Sequence, residues 1–269
     1  MLGTLTRSRL PAPTSTASSV DVVAHRGASG LAPENTLAAV RLAHADGATA
    51  VECDVHRTRD GALVVHHDAT LQRCTDAAQV LPGRAPWAIA DLTLDDVRRV
   101  DAGRPGAPEP VPTLEEWVGA VGPRTGMLVE VKAPAAHPGI EHDLDAVLRA
   151  MPAARAVHQD GRLTVQSFDH AWLHRFKQHA PDVPVGALTA RRPRYADLVD
   201  AASWAEQVNP RARVVTRALV EGAHDLGLRM QAWTVDEVAL MARLAQWGVD
   251  GIITNHPARL VRVLAGVRP

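Results

Sequence analysis

The chain has 269 residues, 46 % of them hydrophobic but only 3 % aromatic, with a formal net charge of -1. That length suits a single α/β barrel, whose core must then be built mainly from Ala, Val and Leu. The balanced charge excludes the broad basic field that binds nucleic acid, so any attraction for an anionic ligand has to be local.

Residues 1–20 hold Arg7 and Arg9 among Ser, Thr, Pro and Ala and lack the apolar run of a secretory signal. They read as a flexible leader. No stretch approaches the roughly 20 apolar residues of a membrane span, so stable membrane insertion is not expected. From Asp21 onward, short β-rich runs alternate with helical periodicity. The pattern predicts strands at 22–25, 50–54, 127–132, 163–167, 185–188, 204–208, 229–233 and 251–254. Helical spacing falls at 37–45, 114–121, 143–151, 171–179, 194–201, 213–226, 237–247 and 258–264. Strand then helix, repeated in this way, is the signature of a parallel TIM (β/α)8 barrel. A doubly wound open sheet is the second reading, weakened because no Gly-x-Gly-x-x-Gly follows the first strand.

One connection is long. Residues 55–112 separate the second strand from its helix and read as a small inserted subdomain at the barrel mouth. Arg59-Asp60-Gly61 is a turn signal that predicts a hairpin. Thr93-Leu94-Asp95-Asp96 reads as a capped helix start, and the Gly- and Pro-rich run 101–112 as a return loop. The two cysteines, Cys53 and Cys74, lack metal-motif spacing and cannot form a disulfide framework, which fits a reducing, cytoplasmic setting.

Function on such a barrel sits at the C-terminal strand ends. Side chains at i and i+2 share a face, so Glu52 and Asp54 point together, as do Glu130 and Lys132, while Cys53 faces the other way. An apolar interior rejects carboxylates so close together, and a divalent cation removes the conflict. Oxygen-only ligation favours a hard ion, Mg²⁺ or Ca²⁺, over Zn²⁺. A salt-bridged set with Lys132, Arg26 or Arg57 is the structural alternative. His25 ends the first strand, and its ordinary pKa suits an acid or base. Arg26 offers a planar fork for phosphate oxygens. Glu34 or Asn35 is expected near the cap of the first helix. His66 and His67 alternate in direction, and His66 reads as a solvent-exposed strand residue. Asp68 either orients an imidazole or caps a turn. Gln166, Ser167, Asn209, Thr254 and Asn255 lie at or near other strand ends. Phe168 and Trp233 either pack on the apolar edge of a substrate or belong to the core.

In order and spacing, these motifs resemble the glycerophosphodiester phosphodiesterase family. The likeness runs through Val23-Ala24-His25-Arg26-Gly27, Pro33-Glu34-Asn35-Thr36, Glu52-Cys53-Asp54-Val55, Asp60-Gly61 and His67-Asp68. It continues at Glu130-Val131-Lys132, Gln166-Ser167-Phe168, Trp233-Thr234-Val235 and Asp250-Gly251-Ile252-Ile253-Thr254-Asn255. The resemblance implies a barrel with an insertion after the second strand. It implies one cation, Ca²⁺ or Mg²⁺, on Glu52, Asp54 and Glu130, and an acid–base pair of His25 and His67, with Arg26 and Lys132 near the phosphate. The implied reaction takes a small glycerophosphodiester to an alcohol and glycerol 3-phosphate. Cys74 where the family often has Thr, Asp236 where it often has Asn, and Asn255 where Asp is common bear on substrate preference. A lysophospholipase-D-like hydrolase, with an apolar groove from Trp87, Ile89 and Leu92, and a non-enzymatic phosphodiester-binding module are the other readings. The sequence sets no oligomeric state.

Overall fold

The structure is a computed structural model that describes residues 20–266, so nearly all of the expected leader lies outside the described residues. Nine strands are present among them: β1 (Asp21–Ala24), β2 (Ala50–Arg57), β3 (Leu63–Val65), β4 (Gly126–Val131), β5 (Leu163–Ser167), β6 (Val185–Thr189), β7 (Gln207–Pro210), β8 (Arg229–Ala232) and β9 (Gly251–Thr254). All but β3 are parallel and follow one another around the sheet, and β1 pairs with both β2 and β9. The sheet is therefore a closed eight-stranded barrel, as the alternating pattern predicts. The helices are α1 (Leu37–Ala45), α2 (Ala77–Val80), α3 (Leu94–Arg98), α4 (Leu114–Val121), α5 (Ile140–Ala150), α6 (Pro152–Gln159), α7 (His170–His179), α8 (Tyr195–Ala201), α9 (Arg217–Asp225), α10 (Val238–Trp247) and α11 (Pro257–Leu264).

Strand alternation divides the core. Outward residues such as Val51, Cys53, Val129 and Val165 pack with Trp117, Trp172 and Phe176 of the helices. A second cluster of the same kind lies behind β7, β8 and β9. Inward residues Val23, Leu128 and Ile253 form a small apolar plug. Beside it, Asn209 Nδ2 donates to Gln166 Oε1 at 2.9 Å and Gln207 Nε2 to Thr164 Oγ1 at 3.0 Å. Deleting one partner of such a buried pair costs about 1–3 kcal/mol, because the other is left unsatisfied.

Local chemistry sets the helix starts. The Thr36, Thr93, Thr113, Asp169 and Thr216 side chains each accept a backbone N–H of the first turn. The N-cap of α1 is Thr36, so Asn35 and Glu34 stand just before the cap, as expected. The sixth barrel strand is Gln207–Pro210, later than expected, because residues up to Trp204 form the turn that closes α8. A 3-10 turn at Ala212–Val214 delays α9 to Arg217, where Thr216 caps it. The third barrel connection holds a second helix that the periodicity did not reveal, α6, begun by Pro152 at its first position.

The insert is built as expected. β3 pairs antiparallel with β2 through Val55↔Val65, and Thr93 and Asp96 complete a capping box on α3. It has its own core, centred on Val64, Leu71, Ile89, Leu92 and Val97. Ile89 and Leu92 are fully buried there, so they do not form an apolar groove at the mouth. His66 is also buried rather than solvent-exposed, because its ring turns into the insert and donates to the Thr70 carbonyl at 3.2 Å. Among the described residues no helix is long and apolar enough to cross a membrane.

Candidate active site

Adjacent strands bring the acidic residues together. Asp54 of β2 is in register with Glu130 of β4, and Glu52 lies one inward position below. One ligand oxygen from each of Glu52, Asp54 and Glu130 lies within 4.8 Å of the others. All three are buried. Burial, with Asp54 and Glu130 beside it, holds Glu52 well above the usual carboxylate range. Burial and then Asp54 push Glu130 up to about 7, against the pull of Lys132. Burial would raise Asp54 too, but Lys132 and Arg26 bring it below its ordinary value.

The cations are close. Lys132 Nζ is 2.6 Å from Glu130 Oε1 and 3.4 Å from Asp54 Oδ1. The Arg26 N–H donates to Glu52 Oε2 at 2.8 Å, and Arg26 Nε lies 3.1 Å from Asp54 Oδ2 without hydrogen-bond alignment. Asn35 Nδ2 donates to Asp54 Oδ2 at 2.8 Å. Arg26 (φ 57°), Gly27 (φ 78°) and Asn35 (φ 60°) are all left-handed. For Arg26 and Asn35 such backbone costs on the order of 1–3 kcal/mol each, a strain typical of sites where geometry matters. Gly27 has no alternative, because a Cβ there would run into the Ala39 backbone.

These residues fit a hard divalent cation. The donors are carboxylate oxygens only, they repel one another, and the buried Asp54 Oδ1 has no hydrogen-bond partner among the described residues. Glu52, Asp54 and Glu130 could hold the ion.

The two imidazoles face this cluster from different elements. His25 Nδ1–H donates to Asn255 Oδ1 at 2.7 Å, which leaves Nε2 without a proton in the neutral ring. Ser29 Oγ also donates to Asn255 Oδ1, at 2.9 Å, and Asn255 Nδ2 donates to Asp236 Oδ2 at 2.7 Å. Burial, then the Arg26 charge, lower the His25 pKa. His67 Nδ1–H donates to Asp68 Oδ1 at 2.6 Å. Arg73 Nε donates to Asp68 Oδ2 at 2.6 Å, while another Arg73 nitrogen and Arg26 both reach Glu34 Oε1, at 2.7 and 2.9 Å. A continuous polar chain thus links His67 to Arg26. His67 lies within electrostatic range of both His25 and Asp54, as expected for groups sharing one pocket.

Phe168 and Trp233 meet edge to face, with ring centroids 5.4 Å apart, and Lys132 Nζ sits 6.0 Å from the Phe168 centroid. Phe168 is 46 % exposed, more than a core role allows. Trp233 Nε1 donates to the Asn209 carbonyl at 2.7 Å.

The structure thus gathers His25, Arg26, Glu52, Asp54, His67, Glu130 and Lys132 at the mouth, with Phe168 beside Lys132 and Trp233 against Phe168. Sequence reasoning missed the roles of Glu34, Arg73 and Asp236. Glu34 and Asp236 lie inside or next to the quoted motifs, but no spacing rule says that they turn toward the site. Two departures from the family pattern prove to be one feature: Asp236 and Asn255 face each other, so the exchange of acid and amide preserves their hydrogen bond.

A closed parallel barrel that gathers an acid trio and two imidazoles at the C-terminal ends of its strands has its polar cluster where this fold carries its active sites. The chain belongs to the glycerophosphoryl diester phosphodiesterase family, whose model matches residues 25–259. It is 33 % identical over 256 residues to the glycerophosphodiester phosphodiesterase of Caldanaerobacter subterraneus subsp. tengcongensis, covering 90 % of this chain and 97 % of that one. A glycerophosphodiester phosphodiesterase of Bacillus subtilis is 32 % identical over 261 residues, covering 91 % and 86 %. Among solved structures, an Oleispira antarctica phosphodiesterase in complex with the product sn-glycerol-3-phosphate superposes with a TM-score of 0.80 at 26 % identity, covering 90 % of this chain and 96 % of that one.

Proposed function

We propose that this protein hydrolyses small glycerophosphodiesters to an alcohol and sn-glycerol 3-phosphate, using a divalent cation and the His25–His67 pair. The observation that carries the reading is the convergence of the acid trio, two cations and two differently held imidazoles on one pocket. The family, and the product named for the Oleispira neighbour, supply the substrate class.

A phosphodiester resists attack because its centre is anionic and its leaving alkoxide is basic. A Mg²⁺ or Ca²⁺ held by Glu52, Asp54 and Glu130 would supply Lewis-acid stabilisation of the developing charge. Arg26 and Lys132 bind the phosphate oxygens and offset the remaining charge. One imidazole takes the proton of the attacking oxygen as the new P–O bond forms. The other gives a proton to the alcohol oxygen as the old P–O bond breaks. The net reaction consumes one water, whether it attacks directly or resolves a cyclic product formed by a neighbouring glycerol hydroxyl. Asn255 and Asp68 fix the rings so that each Nε2 is free for transfer. Phe168 and Trp233 pack on the apolar edge of the glycerol or alcohol. A cytoplasmic setting belongs to this reading, supported by two free cysteines.

A lysophospholipase-D-like hydrolase is disfavoured by burial of Ile89 and Leu92, and a binding module by the presence of both imidazoles. His25→Ala and His67→Ala test the reading with glycerophosphocholine as substrate. Each is expected to lose about 10²–10⁴-fold in kcat while staying folded. Near-normal turnover by either would remove that residue from the chemistry.

A further inference from the structure

The wall opposite the acid trio carries the reverse charge. In the closed barrel β7 stands four strands from β2, directly across the mouth. Along β7, Gln207 and Asn209 point inward, as their bonds to Thr164 and Gln166 show, while Val208 packs outside with the helices. The same alternation turns Arg211, the residue that continues β7 at the mouth, toward the barrel axis. Its main chain is fixed: Arg211 N–H donates to the Thr189 carbonyl at 2.8 Å, and Arg211 bridges to Trp233. Arg211 therefore belongs to the inward layer that holds His25, Lys132, Phe168, Trp233 and Asn255.

Further arginines surround it. Arg191 and Arg192 lie on the loop after β6, and Arg213 on the loop after β7. Arg192 Nε donates to the Val214 carbonyl at 3.1 Å, tying the two loops together. All of these are exposed, and none forms an ion pair with a carboxylate among the described residues; Asp197 is taken by Arg194 at 2.9 Å, and Glu237 lines the same hollow as Arg213 without pairing with it. By contrast, Arg26 and Arg73 on the opposite wall are both bound to carboxylates. In a chain of net charge -1, this concentration of unpaired guanidinium at one side of the mouth is local.

We propose that Arg211, supported by Arg191, Arg192 and Arg213, is a second anion site that selects glycerophosphodiesters whose alcohol half bears another anionic group. The inference rests on the hydrolase reading and deepens it. With the scissile phosphate over the acid trio, the remainder of the substrate crosses the Phe168–Trp233 pair. An anionic oxygen on its far end then meets Arg211, whose fork can bind a phosphate monoester or a carboxylate. Such exposed pairs are screened by salt, so the preference weakens as ionic strength rises.

The test compares glycerophosphoinositol with glycerophosphoinositol 4-phosphate. The wild-type kcat/KM should favour the phosphorylated diester about tenfold at low salt, with the difference in KM. Arg211→Gln should bring that ratio to near one, and Arg213→Gln should reduce it less. A wild-type ratio near one, or a ratio unmoved in Arg211→Gln, overturns the proposal. Loss of binding to anionic phosphatidylglycerol vesicles in Arg211→Gln, with the ratio unchanged, would assign the arginines to a lipid surface and also overturn it. Calorimetric titration of both diesters into chelator-treated protein separates the two layers of the argument. An Arg211-dependent binding preference in that titration, with no turnover even after Mg²⁺ or Ca²⁺ is restored, would sink the hydrolase reading and leave the anion site standing.

Discussion

His56 Nε2–H donates to the main-chain carbonyl of His67 at 3.2 Å, and His56 Nδ1 lies 3.1 Å from His137 Nε2. His56 follows Glu52 and Asp54 at the next inward position of β2. It therefore ties the imidazole-bearing bend of the insert to the strand that carries the acids. Burial lowers its pKa to about 4, so it is neutral near pH 7, with its Nε2 proton directed at His67. Nε2 of His137 is then the donor to Nδ1.

That arrangement makes His56 a positioning residue for His67. His56→Phe keeps the ring but loses the donor, and kcat should fall about 10–100-fold with KM little changed. His56→Gln, whose amide can reach the same carbonyl, should recover most of the loss. In a His67→Ala background, His56→Phe should add little further loss, because coupled residues are not additive. Full additivity would show that His56 acts on stability alone.

The Asp236–Asn255 pair sets the environment of His25. Asn255→Asp alone would face one carboxylate with another where a 2.7 Å hydrogen bond now stands, so a lower Tm is expected. The exchanged pair, Asp236→Asn with Asn255→Asp, should recover the Tm and place a carboxylate on His25 Nδ1. Burial first, then Arg26, now lower the His25 pKa. The added carboxylate opposes both, so the limb of the pH–rate profile that reports His25 should move to higher pH in the exchanged enzyme. An unmoved profile would show that Asn255 has no hold on that ring.

Glu130 makes the ion-free site dependent on pH. Its pKa rises from 4.5 to about 7, so the folded chain binds this proton more tightly than the unfolded chain does. The corresponding stability is complete below about 4.5 and is lost as pH rises through about 7. In chelator at pH 8, Glu130→Gln should therefore be more stable than wild type, with a Tm higher by roughly a few degrees. With Mg²⁺ or Ca²⁺ the order should reverse, and ion binding near pH 7 should release protons. A Glu130→Gln Tm below wild type in chelator would contradict this electrostatic reading.

The barrel was legible because period-two runs alternate with helical periodicity and the strand-end polar residues stand two apart. Glu52, Asp54, Glu130 and Lys132 follow from that rule alone. The start of the sixth strand is not legible, because Trp204 resembles a strand residue although the chain is still turning out of α8 there. The burial of His66 is not legible in the sequence, because alternation gives a direction relative to β2 but not the bulk of the insert that covers it. The partners of the imidazoles were hidden for another reason. Asp236 and Asn255 lie 19 residues apart and meet only when the loop after β8 folds across the end of β9. Arg211 stands two residues beyond Asn209, so its direction follows from alternation only once the true bounds of that strand are known.

The most direct test is turnover of sn-glycero-3-phosphocholine by purified, chelator-treated protein, followed by enzymatic detection of sn-glycerol 3-phosphate before and after adding Mg²⁺ or Ca²⁺. Little or no product without an ion, and rapid release of choline and sn-glycerol 3-phosphate once one is added, is the expected result. Equal rates with and without the ion, or no product under either condition, would contradict the account.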